Sequence, residues 1–181
     1  MNRRRIPSFL PLLAGVLFVG ACAIAPAPAR QPSETTPRCL AQLGQIVVAP
    51  FAVYPGSSSI SVNGVAVADD VSTSLAKDSR FKVLEFTQYK KLIDEYQIQY
   101  SGMVADEQKL KLAEQYGADT ILLGSLHTLN SGELRINLRL VIINTRSTCI
   151  AESATGIERE LFRLEDDLVA KLSAHMARLG R

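Results

Sequence analysis

The stretch ADTILLGSLHTL, residues 118–129, runs through Asn130-Ser131-Gly132 into ELRINLRLVIINT and leaves this chain few folds to choose from. Two β-rich runs joined by a short turn containing glycine predict an antiparallel hairpin. In the second run Leu134, Ile136, Leu138, Leu140 and Ile142 alternate with Arg135, Asn137 and Arg139, so one face of the hairpin is apolar throughout. A sheet with such a face must bury it under another layer.

The rest of the chain supplies that layer. QIVVAPFAV (45–53) reads as one buried strand ended by the loop at Pro55-Gly56. From Asn63, a fair N-cap, Val67, Val71 and Leu75 recur every four residues and predict an amphipathic helix. RFKVLEF (80–86) reads as a second strand. Thr87 is a cap candidate for QYKKLIDEYQI, and beyond Gly102 a helix opening near Asp106 stops at Gly117; these are two helical pieces or one long broken helix. TCIAESATGIER adds a sheet segment, and a last helix lines up Leu161, Leu164, Leu168, Leu172, Met176 and Leu179 as a core stripe. The predicted fold class is α/β, a single mixed-sheet domain with helices packed on the sheet in the order β-α-β-α-β-β-β-α. A composition 47% hydrophobic but only 6% aromatic makes its core aliphatic.

The amino-terminal segment is of another kind. Arg3, Arg4 and Arg5 precede an apolar run from Phe9 to Val19, which is shorter than the roughly 20 residues a membrane-spanning helix needs. Val19-Gly20-Ala21-Cys22 resembles the lipobox of bacterial lipoprotein precursors, and the resemblance implies cleavage after Ala21 and lipidation of Cys22. Ala23, where an inner-membrane retention signal commonly has aspartate, then points to the outer membrane and its periplasmic face. Several acyl chains, at about 0.8 kcal/mol per buried methylene, hold a protein stably on a bilayer. Residues 1–21 are therefore expected to be a signal peptide, 22–38 the acylated cysteine and a Pro-rich linker, and 39–181 the folded domain. The linker reaches roughly 50 Å at most in polyproline form. Loss of residues 1–21 removes three arginines and no acid, taking the formal charge from +2 to −1. No basic footprint for nucleic acid remains.

IVVAPFAV, then SLAKDSRFKVLEF, then KLAEQYGADTILLGSLHTLNSGELRINLRLVIINTRSTCIAESA together resemble the FlgO-type periplasmic domain, related in fold to CsgG, to LpoB and to the TolB amino-terminal domain. The likeness covers most of residues 45–155, and its motifs are structural devices with no chemistry attached. It implies an envelope assembly module serving the flagellum where it crosses the outer membrane. A CsgG-like secretion component and an LpoB-like activator of peptidoglycan synthesis are the alternatives. A pore made by this chain alone is disfavoured, because hairpin 118–144 is used by the domain's own sheet; a short linker argues against an LpoB-like reach through the wall.

Catalytic or metal chemistry finds no pattern to rest on. His127 and His175 share no ligand spacing and read as structural residues. Asp69-Asp70 and Asp166-Asp167 are adjacent pairs on helices, where neighbours diverge by about 100° and cannot share a proton. There is no GxSxG elbow, CxxC pair, phosphate loop or dinucleotide fingerprint. The expectation is a non-enzyme with no cofactor, no metal and no evident small-molecule substrate. Its partners would be the membrane, through Cys22, and envelope or flagellar proteins, with homo-oligomerisation left open. Cys39 and Cys149 are either a disulfide or two unrelated buried thiols, since sequence does not give their Cα separation.

Overall fold

The computed structural model describes residues 39–54, 62–98, 103–129 and 132–178. Residues 1–38, with the expected signal peptide, Cys22 and linker, lie outside the described residues, as do Pro55-Gly56, Gly102, Asn130-Ser131 and Leu179. The elements are β1 (Gln45–Val48), β2 (Ala52–Tyr54), α1 (Gly64–Ala76), β3 (Lys82–Val83), α2 (Phe86–Glu95), α3 (Met103–Gln115), β4 (Thr120–Thr128), β5 (Glu133–Ile142), β6 (Ser147–Ile157), a 3-10 turn (Glu158–Glu160) and α4 (Leu161–Ala177). Six strands form one mixed sheet in the order β3-β1-β4-β5-β6, with β2 beside β4. β1 runs parallel to β3 and β4, β2 parallel to β4, and β4, β5 and β6 form an antiparallel meander.

The expected α/β class holds, and three elements differ from the sequence reading. The run 45–53 is two strands, because Pro50 has no N–H to give the ladder and Phe51 N–H turns away to the Gly64 carbonyl. Val48 pairs with Leu122 and Ala52 with Ser125, so this strand fits one extra residue between those pairs, as a bulge does. The second strand shrinks from 80–86 to Lys82–Val83: Leu84 N–H still reaches the Ile46 carbonyl, but Phe86 already begins α2. The cap of that helix is Glu85, whose carboxylate accepts from the Thr87 N–H, and not Thr87 itself. Two separate helices, α2 and α3, follow, and α3 starts at Met103.

Each face of the sheet has its own core. On one, Ile46, Val48, Leu122, Leu126 and the five alternating residues of β5 meet Val67, Val71 and Leu75 of α1 and Leu164, Leu168 and Leu172 of α4. Asn63 caps α1, its Oδ1 accepting from the Val65 and Ala66 amides at 3.0 and 3.4 Å. On the other face Val47, Ala49, Ile121, Leu123 and Val141 meet Tyr89 and Ile93 of α2 and Leu112 and Ala113 of α3. Gly117, at φ +88°, ends α3 in a Schellman closure, with Gly117 N–H on the Glu114 carbonyl and Ala118 N–H on that of Ala113. Cys39 and Cys149 are joined by a disulfide with their Cα atoms 5.6 Å apart, so the first described residue is fixed to the start of β6. Of the α4 stripe, Leu161 and Met176 pack at the margin of the core, while Phe162 is 70% exposed. No helix among the described residues is long and apolar enough to cross a membrane.

Candidate functional site

Helices α2 and α3 cover the second face only as far as Leu123 and Val141. Beyond that line the side chains of the same face turn polar, and strand register sets them in rows: Tyr54, His127, Arg135 and Thr155, then Ala52, Ser125, Asn137 and Ser153, then Leu123, Arg139 and Ala151. These rows follow from the two-residue period of paired strands. The first turn of α3 reaches the third row at Arg139 through Asp106, and Arg135 and Arg139 are exposed while Ser125, His127 and Asn137 are half-buried.

The rows are hydrogen-bonded into a network. Ser125 Oγ lies 3.0 Å from His127 Nε2 and accepts from Asn137 Nδ2 at 3.3 Å. Arg135 Nε donates to Asn137 Oδ1 at 3.1 Å. The Tyr54 ring stacks on the His127 imidazole with centroids 4.7 Å apart and planes 10° from parallel. Arg139 Nη2 donates at 2.9 Å to Asp106 Oδ2, from the first turn of α3. Between these groups opens a cavity of about 150 Å³ lined by Tyr54, Asp106, Ser125, His127, Asn137 and Arg139.

Behind Asp106 stands Lys109, only 1% exposed, whose Nζ donates to the Pro50 carbonyl at 3.3 Å and lies 3.9 Å from Asp106 Oδ1. Burial lowers the pKa of this ammonium and the Asp106 carboxylate opposes the shift. Tyr89, wholly buried, donates its hydroxyl to the Lys109 carbonyl at 2.6 Å. The bulge at Pro50, the first turn of α3 and the open face are thus tied through one buried cation.

Ser125 and His127 invite comparison with a nucleophile and its base, a pairing that further needs a group to orient the imidazole and donors for an oxyanion. Among the described residues the imidazole has Ser125 and the Tyr54 ring as partners, and Ser125 Oγ is already engaged by Asn137. This is the geometry of a preformed polar surface. His175 sits elsewhere, its Nε2 2.8 Å from Glu152 Oε1, fastening α4 to β6. Asp69, Asp70, Asp166 and Asp167 are exposed. Among the described residues no cluster of His, Cys, Asp and Glu could hold a metal ion. Sequence reasoning found the outward row Arg135, Asn137 and Arg139 but missed Tyr54, Ser125, Asp106 and Lys109; only Tyr54, an aromatic next to a proline loop, carried a visible signal.

Fold and surface define a class, a mixed α/β domain with a polar, partly exposed region on one face of its sheet. The family model of the curli production assembly/transport component CsgG matches residues 45–134, from β1 into β5. Among solved structures, LpoB of E. coli aligns with TM-score 0.51 at 13% identity, covering 85% of this chain and 82% of that one. The C-terminal domain of LpoB from Salmonella enterica aligns with TM-score 0.50 at 12% identity, over 68% of this chain and 96% of its own. A lipoprotein of Neisseria meningitidis aligns with TM-score 0.50 at 15% identity, over 72% and 96% respectively. At such identities these likenesses establish the fold. No curated protein sequence matches the chain.

Proposed function

We propose that the chain is a non-enzymatic outer-membrane lipoprotein, tethered through acylated Cys22 and facing the periplasm, whose domain 39–181 is an interaction module of a cell-envelope assembly. The observation that carries this reading is the uncovered face, where Tyr54, His127, Asn137, Arg135 and Arg139 are held by hydrogen bonds or stacking yet remain accessible. A surface so ordered loses little conformational entropy on binding. Support for the envelope setting comes from the lipobox-like Val19-Gly20-Ala21-Cys22 and from the fold shared with LpoB and with a Neisseria lipoprotein. Within that class the flagellum-associated, FlgO-like role is the specific reading, on the motif resemblance of residues 45–155.

The match to the CsgG model favours one second reading, a component of a CsgG-like secretion assembly. Deleting the gene and isolating partners of the tagged chain from mild detergent separates them. Loss of motility with flagellar envelope proteins co-purified supports the first; intact motility with lost export of a secreted fibre supports the second. Recovery of the chain from the cytoplasm with no envelope partner contradicts both.

A further inference from the structure

The acids of α3 beside the polar face are outnumbered. Asp106 accepts from Arg139 Nη2 at 2.9 Å and stands 3.9 Å from the buried Lys109 ammonium. Glu107, the next residue of α3, lies 3.5 Å from Lys111 Nζ and 3.8 Å from Arg146 Nη1, on the turn between β5 and β6. Each carboxylate is thus met by two cations. Glu133 opens β5 two residues before Arg135, whose Nε donates to the neutral amide oxygen of Asn137. Residues 103–111 and 133–146 together hold five cations and three acids, and the excess is positive. Two of those cations, Arg135 and Arg139, are exposed. Four residues apart on β5, they project from the same face about 13 Å apart at ~3.3 Å per residue. A guanidinium has five N–H donors in a fork that fits a carboxylate, and Arg135 gives one nitrogen to Asn137 and Arg139 one to Asp106. The bond to Asn137 also holds Arg135 in place, which lowers the entropy lost on binding. Thr155, exposed beside Arg135 in its row, adds a hydroxyl donor. Contact with a membrane surface draws on apolar side chains as well as charge. The row between the two arginines is instead Ser125, Asn137 and Ser153, which suits the polar backbone of an extended chain.

We infer that the partner protein docks an extended acidic segment on this face, one carboxylate on Arg135 and Thr155 and a second, about four residues along, on Arg139. The inference rests on this face being the recognition surface, and names the chemistry of what it recognises.

The test uses the full chain purified in an uncharged detergent at physiological salt, where charges beyond ~8 Å are largely screened. Fluorescence anisotropy follows labelled hexaglutamate, with hexaglutamine as its uncharged counterpart, hexalysine as its opposite, and glycerol phosphate as a competitor bearing the anion of a lipid headgroup. Hexaglutamate alone of the three peptides is expected to bind. Its affinity should fall at least tenfold in Arg135→Gln and in Arg139→Gln, recover most of that loss in Arg135→Lys, and stay unchanged in Lys77→Gln, which removes an exposed cation at the end of α1. Circular dichroism and melting temperature should match the parent in all four variants. No binding of hexaglutamate, equal binding of hexaglutamine, or binding indifferent to Arg135→Gln overturns the inference. Glycerol phosphate that displaces the peptide at a concentration below the peptide's own dissociation constant assigns the face to a headgroup and overturns it too. An envelope protein captured by the parent and lost in His127→Ala, while hexaglutamate fails to bind, overturns the inference and leaves the docking reading in place.

Discussion

The phenyl ring of Phe51 occupies the space that a side chain on residue 124 would need: a Cβ built on Gly124 would stand 2.4 Å from two of its ring atoms. Phe51 is 1% exposed and packs in the core beneath α1, so the ring has nowhere to retreat. The bulge at Pro50 aims Phe51 inward, and Gly124 on the neighbouring strand makes room for it. Gly124→Ala should therefore destabilise the fold by about 1 to 3 kcal/mol through overpacking. Urea unfolding followed by circular dichroism measures it, and a variant as stable as the parent would show that Phe51 yields without cost.

The disulfide between Cys39 and Cys149 joins residues 110 apart in sequence. Closing so long a loop restricts the unfolded chain by about 4 to 5 kcal/mol in the chain-entropy model. The oxidised protein should migrate faster on non-reducing electrophoresis, and Cys149→Ser should lower stability by about 2 to 5 kcal/mol. Two reactive thiols beyond Cys22 in the unfolded, unreduced protein would contradict the bridge.

Glu165, on α4 and 4% exposed, has no hydrogen-bond partner for its Oε1 among the described residues. Burial, reinforced by the charges of Asp70 on α1 and Asp166 on α4, pushes its pKa up to about 7. The sign follows from the folded pKa lying above the unfolded one. Below about pH 4.5 the group is protonated in both states and costs nothing; between there and about pH 7 only the unfolded state releases its proton, so stability falls as pH rises. The total is on the order of 3 kcal/mol. Asp78 works the other way, since the Arg80 guanidinium, with the Ser173 hydroxyl, holds its carboxyl well below the usual range. Denaturation midpoints of the parent and Glu165→Gln at pH 5 and pH 8 isolate the Glu165 share: the difference should favour the variant at pH 8 and shrink at pH 5. Equal pH profiles would contradict it.

The parts of this fold that local chemistry specifies were legible in the sequence. Strict alternation placed all five apolar residues of β5 in one core, and Asn63 capped α1 because a short oxygen-bearing side chain suits two free amides. Phe81 and Phe86 misled: five residues apart, they would take opposite faces of a strand, yet both enter the same core because Phe86 reaches it from a helix capped by Glu85. The candidate site was half legible for a similar reason. Arg135, Asn137 and Arg139 were visible as the outward row, whereas the meeting of Tyr54 with His127 depends on a bulge and on strand register, which no single segment encodes. Lys109 lies in a run of alternating charge and leucine that looks solvated, yet it is 1% exposed with its Nζ on the Pro50 carbonyl.

If the domain acts by binding near its membrane through the face around His127, His175→Ala, Asp69→Ala and Asp166→Ala should leave the envelope assembly intact, whereas His127→Ala should weaken it. Lengthening the 23–38 linker threefold should impair assembly more than any of these, because effective concentration at a nearby docking site falls roughly as the −3/2 power of tether length. A folded, correctly localised His175→Ala or Asp69→Ala variant that loses assembly while His127→Ala retains it would contradict docking through this face.

Everything in this reading depends on the tether. Radioactive palmitate labelling of cells expressing the parent chain or Cys22→Ser, followed by membrane fractionation and a motility assay, tests it most directly. Label on the parent in the outer-membrane fraction, with neither label, outer-membrane recovery nor motility restored in Cys22→Ser, is the expected result. Undiminished labelling or full motility in Cys22→Ser contradicts a lipid-anchored envelope module.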